Sequence, residues 1–330
     1  MKTPRIAGIG APIVDLVLRV SSEELTRFDC IRGSRHLVAA SRIDEMLAEF
    51  GRAPELMPGG SVGNTMTALA RLGVESFIHG TAGRDMYGQF YCEEFSKAGG
   101  RLELMAFSNS PTGRCLSLVT PDAERTMFTA LGAAGEPTAP PDFSGFDRVY
   151  FEGYILDPPG AEALFEAAVA SGARIALDLS DFRLVETRRE AIADLLTSAV
   201  DEVFANRVEA AALLGADAAP ERLAARLGEY CETAVVTLGA EGCAVKTPDG
   251  RVSVYGALAA DAVDTTGAGD LFHAGFMYGL AYGCPVERCA FFGAVLGAEV
   301  VKTVGAVIPP GRWGAAALKL QITNEDGNGI

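Results

Sequence analysis

The residues Val263-Asp264-Thr265-Thr266-Gly267-Ala268-Gly269-Asp270 combine the types needed to move a phosphoryl group. Gly267 and Gly269 let the backbone turn tightly and approach a ligand closely. The apolar run Leu271 to Tyr282 behind them predicts a helix beginning near Asp270. Unpaired N–H groups and the positive end of the helix dipole then point into the loop, which makes a seat for an anion such as phosphate. Asp270 ends the loop with a carboxylate that can take a proton from an attacking hydroxyl. Charge stabilisation and a base for the acceptor are the two halves of phosphoryl transfer. Asp270 also fits a helix N-cap behind a plain glycine turn, and the loop alone does not decide between the two.

The elements that must position this loop are legible in outline. Ile6 to Gly10 reads as a first strand, followed by a second from Val14 to Val20 that carries Asp15. Gly8-Ile9-Gly10 lacks the third glycine of a dinucleotide fingerprint, since Ile13 stands there, and no helical periodicity follows. Residues 52–58 read as a loop leading to Gly59-Gly60-Ser61-Val62-Gly63-Asn64. Ser61 is placed to cap a helix whose apolar face is Val62, Met66, Leu69, Ala70 and Gly73. Alternating runs at 101–104, 114–119 and 125–128, with a turn at Pro121-Asp122-Ala123-Glu124, predict antiparallel strands that join the Asp15 strand in a small sheet. From Arg148 the rhythm becomes strand–helix. Strands are expected at 149–152, 175–178, 202–205 and 234–238, and helices at 161–170 and 188–196. A buried helix is expected at 292–304. Such alternation implies a mostly parallel sheet with helices on both faces and ligands at the carboxyl ends of the strands.

Asp-Thr-Thr-Gly-Ala-Gly-Asp at 264–270 and Gly-Gly-Ser-x-x-Asn at 59–64 closely resemble the two signatures of the ribokinase-like (PfkB) carbohydrate and nucleoside kinases. The resemblance spans about residues 5 to 310 and looks most like adenosine kinase-like members. It implies one α/β domain over 1–330: a three-layer α/β/α fold with a mostly parallel sheet and a small β-sheet lid inserted at about 14–40 and 101–131. It implies ATP and Mg²⁺, with Asp270 as general base and Gly267, Ala268 and Gly269 as the anion hole. It carries substrate binding onto Asp15, Gly59, Gly60, Ser61 and Asn64. It places the nucleotide near Asn206, Thr237, Gly239, Gly242 and Ala298, and Mg²⁺ near Asn206 and Glu209 of Asn206-Arg207-Val208-Glu209. Thr237-Leu238-Gly239-Ala240-Glu241-Gly242 also fits a hairpin turn before Cys243. Relatives that bind a monovalent cation use residues equivalent to Asp264 and Thr266, but Pro309 stands where ribokinases have serine, which argues against K⁺.

Ser61, the run Leu131 to Ala134 and the layout of the N-terminal half favour adenosine as acceptor, with Tyr154 or Phe182 stacking on the purine. Ala11 points the other way, because adenosine kinases carry an asparagine there. A free sugar of the fructose, ribose or 2-keto-3-deoxygluconate type is the alternative acceptor, and inosine or guanosine also fits. A catalytically silent nucleoside or sugar sensor is the alternative of another class.

Composition narrows the rest. With 49% apolar and 22% charged residues, the 330-residue chain can bury a large core. Its net charge of −15 argues against nucleic acid or an anionic membrane as partner. The seven cysteines form no Cys-x-x-Cys pair, and with three histidines no zinc cluster is readable. No secretory signal or membrane span is readable, so a reduced, cytoplasmic protein is expected, as monomer or homodimer. The polar tail 323–330 is expected to be disordered.

Overall fold

The computed structural model describes residues 2–122, 124–157 and 160–320; the expected disordered tail, and Ala123 of the expected turn, lie outside them. The first strands are β1 (Arg5–Ile9), β2 (Ile13–Arg19), β3 (Arg35–Leu37), β4 (Glu55–Gly59), β5 (Glu75–His79), β6 (Thr81–Gly83) and β7 (Ala106–Ser108). There follow β8 (Gly113–Val119), β9 (Arg125–Ala130), β10 (Arg148–Glu152), β11 (Arg174–Asp178), β12 (Glu202–Asn206), β13 (Thr233–Thr237), β14 (Cys243–Lys246) and β15 (Val252–Tyr255). An 8-stranded sheet has the order β15-β14-β13-β12-β11-β10-β1-β5 and is parallel except for β14 and β15 at one edge. A 5-stranded sheet has the order β3-β9-β8-β2-β4.

The parallel strands are apolar on both faces, and side-chain alternation divides them between two cores. Tyr150, Ala176, Phe204 and Val235 join one core with the helices Ser61–Arg71, Ala268–Ala281 and Val286–Val300. Val149, Phe151, Leu177 and Val203 join the other, with the helices Ala161–Ser171, Arg189–Ala199, Arg207–Leu214 and Pro220–Leu227. The same period of two organises the second sheet. Val14, Leu16, Leu116, Leu118 and Phe128 face the core that includes Ile43 and Met46 of the helix Ala40–Phe50. Asp15, Cys115, Met127 and Thr129 therefore occupy the opposite face.

Several expectations change. Residues 52–58 are not all loop. Glu55 to Gly59 pairs antiparallel with β2, and Pro58, which has no N–H to give, is tolerated because β4 is an edge strand. The run 101–104 forms no strand: Arg101 makes a single bridge to Phe77, and Met105 N–H turns back to the Leu102 carbonyl. Its extension is spent in that turn, and the strand that follows, β7, pairs with β6 rather than with the second sheet. The second sheet is mixed, because β2–β8 and β3–β9 run parallel. The buried helix spans Val286–Val300 instead of 292–304, and the Val301 carbonyl accepts from Val263 and Asp264 N–H. No helix of the described residues is long and apolar enough to cross a membrane.

Phe204 lies at the centre of one core, its ring 4.6 Å from His273 and 5.6 Å from Phe276. Phe204→Ala should cost about 3–5 kcal/mol of unfolding free energy, read by urea denaturation.

Candidate active site

The last residues of the six parallel strands, Ile9, His79, Glu152, Asp178, Asn206 and Thr237, all line one cavity of about 1200 Å³. This is where open α/β sheets gather ligands: successive strands end on the same edge and their connections diverge from it. The helix Ala268–Ala281 brings Gly269, Asp270 and His273 to the same cavity, and β2 brings Asp15.

Asp270 is not the cap of its helix. Gly267 holds that position at φ +74, where a Cβ would strike Ala306, so the helix starts two residues earlier than expected. In the first turn, the Asp270 carboxylate accepts from Ser61 Oγ and Asn64 Nδ2, each at 2.8 Å. Ser61 therefore does not cap the helix Ser61–Arg71. Gly60 is the N-cap at φ +82, and the serine hydroxyl is turned to Asp270. Burial pushes Asp270 up to about 6, against the hydrogen bonds from Asn64 and Ser61, with Asp178 adding negative charge. Gly269 lines the cavity with open space where a Cβ would stand, whereas Ala268 N–H donates to the Thr265 carbonyl at 3.2 Å.

Gly60, Ser61, Asn64 and Asp15 line the wall beside Asp270. Gly59 lies behind them, where a Cβ would fall 2.5 Å from the Asp15 carboxyl carbon. Burial raises Asp15 to about 7, opposed by the positive charge of Arg125 and reinforced by Asp270. Glu152 ties this wall together: its two oxygens accept from Ala11 N–H at 2.7 Å and Val62 N–H at 2.9 Å. Burial raises it to about 7 despite those bonds. His273, hydrogen-bonded to Tyr150 at 3.1 Å, is lowered to about 4 by burial and is neutral at physiological pH.

Asn206 caps the helix Arg207–Leu214 in a reciprocal box with Glu209, whose oxygens accept from Asn206 N and Nδ2 at 2.8 and 2.7 Å. Burial raises both Glu209 and Asp178, and Asp178 adds its charge to Glu209. This all-oxygen set with excess negative charge fits a hard divalent cation that keeps much of its water. No ready-made group of three acidic, His or Cys ligands occurs among the described residues. Thr237 faces the cavity beside them. Gly239 and Gly242 belong to the turn into β14, and Gly242 lies where a Cβ would be 1.9 Å from the Tyr255 carbonyl oxygen. Ala298 is half-buried in the helix Val286–Val300. Gly239, Gly242, Ala298 and Phe182 are not among the cavity-lining residues; Tyr154 is.

No motif in the sequence marks Glu152, Asp178, Arg125 or Arg35 as functional. The first two end central strands, a positional signal available in advance. Arg125, on the cavity-side face of β9, forms an ion pair with Asp264, whose carboxylate also accepts from Thr266 and Gly305 N–H. A guanidinium therefore already neutralises the carboxylate expected to border a monovalent cation.

The profile of the pfkB family carbohydrate kinases matches residues 37–311. The chain belongs to this family. The crystal structure of adenosine kinase from Sinorhizobium meliloti superposes with a TM-score of 0.86 at 32% identity, covering 96% of this chain and 99% of that one. Adenosine kinase of Saccharomyces cerevisiae is 29% identical, with 93% of this chain and 97% of that protein covered. Ribokinase of Haemophilus influenzae is 25% identical, with 78% and 85% covered. The fold is ribokinase-like, and the PfkB enzyme is a phosphotransferase acting on an alcohol group of a nucleoside or sugar.

An ordinary carboxyl titrates near pH ~4, and Asp15 near 7 in the folded chain, so between them the folded state holds the extra proton. The stability tied to this proton is present below about pH 4 and is lost as pH rises through about 7. Asp15→Asn, neutral at every pH, should raise the melting temperature of the ligand-free protein at about pH 8 and leave it little changed at about pH 4. Calorimetry at the two pH values checks this.

Proposed function

We propose that this PfkB enzyme transfers the γ-phosphoryl group of ATP to a hydroxyl of a purine nucleoside, adenosine among them. The observation that carries the reading is the buried Asp270 carboxylate, held by Ser61 and Asn64 at a helix N-terminus on the cavity wall. Asp15, Gly60 and Asn64 orient the acceptor hydroxyl towards Asp270. Asp270 accepts its proton while the oxygen attacks the γ-phosphorus and the bond to ADP breaks. Gly269 N–H faces the charge on the moving phosphoryl group, Gly267 sets the turn that starts the helix, and Ala268 N–H joins the anion hole only by giving up its bond to the Thr265 carbonyl. Asn206 and Glu209 would hold Mg²⁺ largely through water, and the bound ion supplies charge neutralisation on the phosphates. Thr237 and the Gly239–Gly242 turn flank the nucleotide, with Ala298 behind it.

Two features favour a nucleoside. The cavity continues from Asp270 past Asp15 to Met127, Arg35 and Tyr154, further than a single sugar ring requires. The relatives in Sinorhizobium and yeast also bear the name adenosine kinase. A free sugar is the second reading, supported by Ala11, which lines the cavity with a side chain that cannot hydrogen-bond.

An ADP-release assay with Mg-ATP across nucleosides and free sugars tests the reading. Turnover on adenosine, inosine or guanosine above that on ribose or fructose is expected; binding without any turnover would instead indicate a silent sensor. With Asp270 titrating at about 6 and Asp15 at about 7, kcat/KM should rise with pH through that range and level off above about 7. Asp270→Asn should lower kcat by ~10²–10⁴ in a protein that melts as a folded chain. Near-normal turnover in that variant would remove Asp270 as the base.

A further inference from the structure

We propose that Arg35 reads the edge of the purine and makes 6-oxopurine ribosides, inosine and guanosine, better acceptors than adenosine; this rests on the nucleoside-kinase reading above. The placement follows from strand register. Asp15 pairs with Cys115, Cys115 with Thr129, and Thr129 with Leu37, so these four side chains form one row on one face of the second sheet. All four line the cavity. Arg35 lies two residues along on that face, opposite Met127, and lines the cavity with it. His36 points the other way and stacks on core residue Phe128 at 5.2 Å, which confirms the alternation. From β2 to β3 are three inter-strand steps of ~4.8 Å, so about 14 Å separates the backbone at Asp15 from that at Leu37, and about 16 Å from that at Arg35 two residues along. Once the reach of the arginine is subtracted, a sugar held at Asp15 leaves room there for a bicyclic base.

The chemistry of that end is unusual for this chain. The Arg35 guanidinium lies 4.4 Å from the centre of the Tyr154 ring, and Tyr154 OH donates to the Ser180 carbonyl. Ser180 itself is held at φ +62, with its hydroxyl bonded to Asp178. Tyr154 is thus anchored, and Arg35 lies over its face. On neighbouring strands, Arg114 is paired with Asp44 and Arg125 with Asp264. Arg35 has no carboxylate within ion-pair distance and no hydrogen-bond acceptor among the described residues, although it is half-buried. Its donors are therefore free for a ligand.

A guanidinium has five donors and no acceptor. Guanine and hypoxanthine present two acceptors side by side, O6 and N7, which the arginine fork meets together. Adenine presents N7 beside an amino group that is itself a donor, so one arm of the fork meets a donor. A two-point pair of this kind discriminates by roughly 5- to 150-fold.

The test is kcat/KM for guanosine, inosine and adenosine at saturating Mg-ATP in wild type, Arg35→Gln and Arg35→Lys, with thermal melts to confirm folding. The 6-oxopurine to adenosine ratio should exceed one in the wild type and fall about tenfold or more in Arg35→Gln. Arg35→Lys keeps the charge but not the fork, and should lose most of the ratio as well. A wild-type ratio below one, or a ratio unchanged in both variants while nucleosides are still phosphorylated, overturns the role of Arg35 alone. Phosphorylation of free sugars with none of any nucleoside overturns the nucleoside reading, and this inference with it.

Discussion

Two hydrogen bonds join residues more than two hundred positions apart: Ser61 Oγ and Asn64 Nδ2 both donate to the Asp270 carboxylate. They link the first turns of two helices that pack on the same face of the central sheet. Neither contact exists unless the sheet, the helix Ser61–Arg71 and the glycine start of the helix Ala268–Ala281 are all in place. Glu152 reinforces the arrangement from below, holding the end of β1 and the start of the Ser61–Arg71 helix through backbone N–H groups. The geometry around Asp270 is therefore a property of the assembled core, not of its loop.

That assembly concentrates negative charge. Asp15, Glu152, Asp178, Glu209 and Asp270 share one cavity and are all raised by burial. Burying carboxylates without full compensation costs stability, and such clusters are characteristic of functional sites. Hydroxyl donors and a divalent cation are the partners this charge suits. Arg125 and His273 moderate it without cancelling it: Arg125 is committed to Asp264, and His273 is neutral. The cavity therefore combines an acidic wall at Asp15 and Asp270 with a donor-rich end at Arg35, a gradient that can orient a ligand having a hydroxyl at one end and acceptors at the other.

Much of this was legible in the chain. The loop at 264–270, the segment 59–64 and the strand–helix rhythm after Arg148 located the parallel sheet and the cavity edge, because helix starts, glycine turns and apolar periods are local properties. Asp15, Asn64, Asn206, Thr237 and Asp270 do come to one cavity. Local signals failed where pairing partners decide the outcome. Glu55 to Gly59 becomes a strand only because β2 offers it an edge, and the alternating run 101–104 is not a strand because its chain turns back after one bridge. Ser61 looked like a cap, yet its hydroxyl serves Asp270 because Gly60 takes the cap position.

By itself, then, the sequence determined the family-like signatures, the α/β class and which residue types could move a phosphoryl group, since each depends on neighbours along the chain. Only the tertiary structure decided that Glu152 is a clamp, that Arg125 neutralises Asp264, and that Arg35 shares a sheet face with Asp15 and lies over Tyr154. Those relations depend on strand register and helix packing across long separations. A one-residue slip in register would turn Arg35 to the other face, and no local pattern around it encodes that choice.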